Sequence, residues 1–326
     1  MAARMDSAQL REIVRQATAA PSIHNTQPWR FQVGTDRVDL FVDPSRGLDV
    51  LDPTGRQRII SCGAALEHAR LAVRAADHDA VVHLVPDARN EDYLARLEIG
   101  EAQPATAEDR RLLAAMSRRH THRGAFDAVS VSADLLADMT RGAAEVGVVL
   151  HALTDPDDLV VATVLIDRAD QLEAADPAYR EELSRWVRED AEDGIPTAVL
   201  PPVGPRTSLP MRNFEGAPAR PGGSGEDDPV ERPLVVVLST DGDGRPAWLV
   251  AGQAMGWVLL RAAADGVMAS PLGQVLDVPV TRAMLARELR LLGHPQMVLR
   301  MGYPVQHDSA RTPRRALDSV IDPPPG

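Results

Sequence analysis

Apolar positions in the first third of the chain recur with two different periods. Leu10, Ile13, Val14 and Ala17 fall at helical spacing behind Ser7, and Pro21 disfavours helical geometry at Ala20, so a capped helix ends just before it. Residues 29–33 and 38–42 alternate instead, and Gly34, Thr35 and Asp36 between them predict a β-hairpin. Thr54 and Gln57 make a capping-box pattern ahead of a helix reaching about Ala76, with strands following at 80–85 and 93–99.

Further on, the pattern predicts helices at 108–116 and 133–145, a strand at 146–150, and a long helix ending near Trp186. Strands at 234–238 and 296–301 bracket helices at 247–264 and 281–291. Between 194 and 232 the periodicity fails, and eight prolines and six glycines take its place. A stretch of that length is either a disordered linker or a functional lid, and Leu209, Met211 and Phe214 give it apolar anchors. The sum is an α+β chain with halves at 1–105 and 106–326. No residue-level repeat relates them.

Composition narrows the chemistry. With 326 residues, 44% hydrophobic and 25% charged, the chain is ordinary for a globular protein. All 35 basic residues are arginine, which excludes a lysine Schiff base and a Walker A loop. Against 47 acidic residues the net charge is −12, which argues against a nucleic-acid partner. Cys62 stands alone, so no internal disulfide or Cys-rich metal site can form, and its apolar neighbours Ile59, Ile60 and Leu66 suggest an inert helical thiol. The first residues lack the apolar core of a signal peptide, and no stretch reads as the roughly 20 apolar residues of a membrane span. A cytoplasmic protein without a membrane partner is the expectation.

Two segments stand out on this acidic background. Residues 20–29 read Ala-Pro-Ser-Ile-His-Asn-Thr-Gln-Pro-Trp, and residues 118–123 read Arg-Arg-His-Thr-His-Arg. Arginines beside a hydroxyl suit a phosphate, because guanidinium forks and an alcohol both donate to its oxygens. An Asn amide in a Pro-rigidified turn suits the hydrogen-bonding edge of a flat ring. Each segment also has a plainer reading: a solvated charged edge for the arginines, and turn prolines with a core Trp29 for the other. His120 and His122 make a poor ligand set without a nearby carboxylate or cysteine, so no metal is expected. His24 is either a proton donor to a reduced substrate or, preferred, an imidazole that stabilises the turn or lies exposed. Asp241-Gly242-Asp243-Gly244 invites a calcium loop, but Gly252 stands where that loop wants Glu, which favours a tight turn before the next helix. No Gly-x-Gly-x-x-Gly follows a strand, which argues against a Rossmann site.

Taken jointly, the segments make the chain resemble the nitroreductase family of FMN-dependent oxidoreductases, and most of all its fused, Acg-like actinobacterial branch. Later residues agree: Trp248-Leu249-x-Ala251-Gly252-Gln253-Ala254, Pro295-Gln296, Arg300-x-Gly302-Tyr303 and Thr312-Pro313-Arg314-Arg315. The resemblance spans residues 10–320. It implies a nitroreductase-like fold in which two fused halves form a pseudo-dimer, with antiparallel-rich sheets flanked by helices. It further implies FMN as cofactor, NAD(P)H as electron donor and a small organic acceptor.

Carried over by matched position, Arg119 and Thr121 would hold the FMN phosphate and Arg123 would face the N1 and C2 carbonyl edge of the ring. Ser22 and Asn25 would contact the flavin from the other half. Pro271, Leu272 and Gly273 would present backbone toward N5, and Arg314 and Arg315 would close on the phosphate. Chemistry borne by the flavin needs no catalytic side chain. The chain departs from the pattern in two places. Phe126 follows Arg123 one residue later than the family's aromatic, and the first half has no second arginine motif, since Arg11 and Arg15 lie on an amphipathic helix. One site per chain is the consequence, in a monomer or a homodimer of pseudo-dimers. A flavin-sequestering protein, whose 194–232 lid blocks nicotinamide, is the alternative, and a flavin oxidase acting on a natural-product intermediate is a third.

Overall fold

The computed structural model describes residues 5–87, 89–189, 191–200, 209–212, 214, 231–305 and 311–323. Helix α1 (Ser7–Ala17) leads into strands β1 (Trp29–Val33) and β2 (Arg37–Val42), helix α2 (Arg56–Ala75), and strands β3 (His78–Leu84) and β4 (Tyr93–Ala102). The strands form an antiparallel sheet in the order β1-β2-β4-β3. Helices α3 (Ala107–Met116) and α4 (Ala133–Glu145) precede β5 (Val149–Leu153), α5 (Pro156–Ala175) and α6 (Pro177–Trp186). Then come β6 (Leu234–Thr240), α7 (Arg245–Ala264), β7 (Met268–Pro271), α8 (Gln274–Asp277), α9 (Pro279–Glu288) and β8 (His294–Gly302). The second sheet is antiparallel, ordered β5-β6-β8-β7.

The two sheets share one plan: two strands, a 20-residue helix, two more strands, and the same crossed order. The repeat that the residues hide is present in the topology. Helices α2 and α7 cross at glycines that each occupy the eighth helical position, Gly63 and Gly252. A Cβ on Gly63 would lie 2.2 Å from the Leu249 carbonyl oxygen, and one on Gly252 would lie 2.1 Å from that of Ile60. Such backbone contact leaves no room for a side chain at either position. By length and composition α7 could cross a membrane, contrary to the expectation that no stretch would, but 72% of its most apolar window is buried here as the core helix against α2.

Several local boundaries differ from the sequence expectation, each for a physical reason. Asp6 with Gln9, not Ser7, forms the capping box of α1. At α2 the Thr54 box does not form; Gly55 precedes the helix at φ 74°, and the Asp52 carboxylate accepts from the Gln57 and Arg58 N–H groups at 3.1 and 2.9 Å. The long helix predicted to end near Trp186 is two helices, because Pro177 cannot donate and Asp176 caps the second. Strand β5 starts at Val149 rather than 146, after a left-handed Gly147 at φ 80°. Asp243 accepts from Arg282, Trp248 and Gln296, so its loop is a turn committed to protein donors. Cys62 is fully buried and burial pushes its thiol pKa up, in keeping with an inert thiol. Of the 194–232 stretch, residues 201–208, 213 and 215–230 lie outside the described residues. Leu209 is anchored in the small core of α5, α8 and the second sheet.

Candidate functional site

The turn after α1 is held in an unusual conformation. His24, Asn25 and Gln27 have φ of 45°, 55° and 50°, a region that costs a non-glycine residue about 1 kcal/mol or more. Surrounding bonds enforce it. The Ser22 hydroxyl accepts from the Gln27 N–H at 3.0 Å, and the Ser61 hydroxyl accepts from the Ile23 N–H at 3.1 Å. The Gln27 amide donates to the Glu192 carbonyl at 2.9 Å and accepts from the Arg315 N–H at 2.9 Å. Asn25 donates to the carbonyls of Gly194 and Pro313 at 3.0 and 3.1 Å and accepts from Arg314 at 3.1 Å. It ties the turn, the start of the Pro-rich stretch and the C-terminal tail together.

Residues 119–123 extend the edge of the second sheet, where Thr121 bridges Ala269 and the His122 N–H donates to the Ala269 carbonyl at 3.0 Å. Arg119 is buried, touches the Ala19 carbonyl at 3.3 Å, and makes no ion pair with a described carboxylate. Its Nε has no partner among the described residues. Burial, with Arg314 and Arg311 nearby, lowers its pKa to about 9. Arg314 is lowered to about 10 by burial and by Arg311. Its donors reach the carbonyls of Thr18, Ala19 and Ala20 at 2.7, 3.2 and 3.3 Å, capping the negative end of α1. Among the described residues Arg311 also meets only carbonyls, those of Arg118 and Arg119. His68, buried nearby, is lowered to about 3 by burial and then by Arg119, and is neutral.

The opposite end is built differently. Arg212 bonds Asp277 at 2.7 Å, Glu173 at 3.3 Å and His24 Nε2 at 3.3 Å. Asp277 also accepts from Arg56 at 3.1 Å and from Gln57 at 2.6 Å. Burial raises Glu173 to about 7, outweighing the attraction of Arg212. Phe214 meets His24 edge-on at 5.8 Å and lies under the Arg123 guanidinium at 5.5 Å. Burial, Arg212 and Arg123 hold the His24 pKa well below the ordinary value, so the ring is neutral and cannot deliver a proton as imidazolium. Nor is it exposed, at 6% of its free surface.

A single cavity joins both ends. Ser22, Asn25, Arg119, Thr121, Arg123, Pro271, Gly273 and Arg314 all line it, with Ile60, Met255 and Met297 as apolar wall. Its empty space, open mouth included, is about 1110 Å³. No carboxylate among the described residues lines it. Two predicted residues are not on its wall. Leu272 is fully buried and its N–H is spent on the Val298 carbonyl at 2.9 Å. The Arg315 guanidinium turns away to the carbonyls of Gln27 and Ser319 at 3.3 and 2.7 Å. Arg311, Gln57 and Arg212 line the cavity and were missed. Arg311 sits one residue before the tail motif, which was a usable signal; Gln57 read as a helix cap, and Arg212 lay in a stretch without pattern. Arg11 and Arg15 pair with Asp318 and Glu12 at the surface, as their helix positions suggested.

No protein-family model matches the chain. A protein of Mycobacterium tuberculosis H37Rv named "Putative NAD(P)H nitroreductase Rv3131" is 35% identical over 326 aligned positions, covering 97% of this chain and 92% of that protein. The chain belongs to the NAD(P)H nitroreductase family. Two more distant nitroreductases by name are acg of the same strain, 29% identical over 96% of this chain and 95% of its own, and PigM of a Serratia species, 25% identical over 96% and 92%. Among solved nitroreductases, one with bound FMN from Desulfitobacterium hafniense aligns at a TM-score of 0.40 and 13% identity, over 65% of this chain and 97% of that one.

Proposed function

We propose that this nitroreductase binds FMN in the cavity and passes electrons from NAD(P)H through it to a small organic acceptor. The observation that carries the reading is the pair of buried Arg119 and half-buried Arg314 at one end of an apolar-walled cavity without a described carboxylate. An unpaired buried guanidinium costs several kcal/mol, and an anionic ligand group offsets that cost. The residues fit a flavin phosphate: Arg119, Arg311 and the Thr121 hydroxyl are the donors, and Arg314, spent on carbonyls, adds charge and holds the tail. Ile60, Met255 and Met297 suit the face of the ring. Arg123 stabilises negative charge at its N1 edge, and the Gly273 N–H, which has no acceptor among the described residues, serves the N5 side in place of Leu272.

Bound flavin supplies the two-electron chemistry; the protein binds it, orients it and excludes water. The shared strand order supports two fused halves, 1–105 and 106–326, with the turn at 21–27 drawn from the first and residues 119–123 and 270–273 from the second. That arrangement makes one flavin site per chain. A storage role is the second reading, favoured by Met211, Arg212 and Phe214 on the cavity wall. Anaerobic titration of the yellow protein decides. Bleaching by NADH or NADPH within minutes establishes the oxidoreductase; reduction by dithionite alone leaves storage; a colourless protein that ignores added FMN overturns both.

A further inference from the structure

We propose that His24 presents a neutral Nδ1–H donor to a negatively charged oxygen of the organic acceptor, with Arg212 fixing and polarising the ring. A guanidinium has no acceptor atom, so the 3.3 Å contact between Arg212 and His24 makes Nε2 the acceptor. The proton of the neutral ring is thereby assigned to Nδ1. Nδ1 has no protein partner among the described residues and is not one of the sealed buried atoms, although the ring as a whole is 6% exposed and lines the cavity. It opens on the ligand space.

The ring is aimed there by more than chance packing. The backbone at φ 45° is uncommon for any residue but glycine, so the turn holds the imidazole at a backbone cost. Phe214 holds the ring by its edge, and Arg212 is pinned behind it by Asp277 of α8 and Glu173 of α5. The charged groups facing the imidazole are Arg212 and, from residues 119–123, Arg123. Their charge keeps the ring neutral, and donation by Arg212 into Nε2 draws electron density from it and strengthens Nδ1–H as a donor. A fixed neutral donor in a dry site stabilises developing negative charge without reorganising.

The ligand class is a compound whose oxygen becomes anionic on reduction, such as a quinone or a nitroaromatic. Two electrons and one proton, delivered together as hydride, convert a quinone to its hydroquinone monoanion, and a second proton, from water, completes the hydroquinone. His24 holds the phenolate oxygen in between and gives up no proton. The electrons come from flavin reduced by NAD(P)H, so this role rests on the function proposed above; the binding of a phenolate does not.

The probe is 4-nitrophenol, titrated spectroscopically against the protein as purified and again saturated with FMN. The bound probe should ionise at least about one pH unit lower than free probe, a tenfold preference for phenolate. His24→Phe keeps a ring against Phe214 and removes the N–H, and should abolish the shift. His24→Asn, which tolerates left-handed backbone and keeps an amide donor, should retain part of it. An unshifted probe in the wild type, or an equal shift in His24→Phe, overturns the proposal.

In the photoreduced holoprotein, His24→Phe should slow reoxidation by a quinone 10- to 100-fold while reduction by nicotinamide is unchanged. Equal slowing of both half-reactions means a merely structural role. Wild-type reoxidation should be flat from pH 5.5 to 8, and a single-ionisation fall across pH 6–7 would restore imidazolium as the acid and sink the idea. A protein that binds no flavin but still shifts the probe defeats the proposed function and leaves the donor standing.

Discussion

The two ends of the cavity hold buried arginines that differ in what neutralises them. At one end Arg212 and Arg56 share Asp277, with Glu173 beside Arg212; the carboxylates raise the Arg212 pKa above its ordinary value, while burial still lowers that of Arg56. At the other end Arg119 and Arg314 meet no carboxylate among the described residues, only carbonyl oxygens and the Thr312 hydroxyl, and their pKa values fall to about 9 and 10. Residue type and burial are alike; the partner differs. A buried ion pair offsets much of its desolvation within the protein, whereas an unpaired charge leaves that cost for a ligand to meet. The first group therefore acts as scaffold, and on the function proposed above the second is the half of an ion pair that a bound phosphate would complete.

Removing the carboxylate from the scaffold end should have the largest effect. Asp277→Asn leaves Arg56 without its ion pair and Arg212 with Glu173 alone, and should cost about 3–5 kcal/mol in chemical denaturation. A loss below about 1 kcal/mol would erase the contrast between the two ends. Glu173 sharpens the same point through pH. Its pKa is raised when folded, so its contribution is fully present below the unfolded value of 4.5 and is lost as pH rises through about 7. Wild-type stability should thus decline relative to Glu173→Gln across pH 4.5–7, by on the order of 1–3 kcal/mol. A parallel pair of stability curves would place the Glu173 titration elsewhere.

This division was only half legible in the sequence. Arg119, Thr121 and Arg123 stood out because they form a short motif, and Ser22 and Asn25 because no structural need explains every residue of their turn. Arg212 was invisible, since its partners Glu173 and Asp277 are 39 and 65 positions away, the first within the predicted long helix and the second in a stretch given no element. The same limit explains the fold errors. Regular stretches such as β1, β2 and α7 follow from period alone, but caps depend on which side chain reaches the orphan N–H groups. Asp52 reaches Gln57 from five positions back, outside any capping-box spacing. Leu272 and Arg315 lie off the cavity wall for a geometric reason: neighbours in a motif point to different sides of the chain. The sheet takes the Leu272 N–H, and Gln27 and Ser319 take the Arg315 guanidinium.

At the ligand end the sign of a mutation should depend on whether flavin is present. Arg119→Met removes an unpaired buried charge and fills its volume, so the flavin-free protein should gain about 1–2 kcal/mol. The same variant loses a charge-assisted contact of about 2–3 kcal/mol to the phosphate, and its affinity for FMN should fall about 100-fold. Melting curves with and without saturating FMN should therefore cross in order, wild type above the variant only when flavin is bound. A variant that is less stable in both conditions would show that Arg119 is scaffold like Arg212.

Arg311 gives the smallest and most discriminating effect. It is exposed, among the described residues bonds only the Arg118 and Arg119 carbonyls at 3.3 and 3.4 Å, and shares the cavity wall with Arg119. Exposure screens its charge, so Arg311→Ala should leave the flavin-free melting temperature within error and weaken FMN binding about 3- to 10-fold. The loss should shrink as salt rises from about 50 to 500 mM, because an exposed charge acts through solvent. Arg119→Met should lose the same factor at both salt concentrations, since its charge is buried. An Arg311 effect that ignores salt would mean the tail shapes the cavity mouth by packing, and the cationic end would then consist of Arg119 and Arg314 alone.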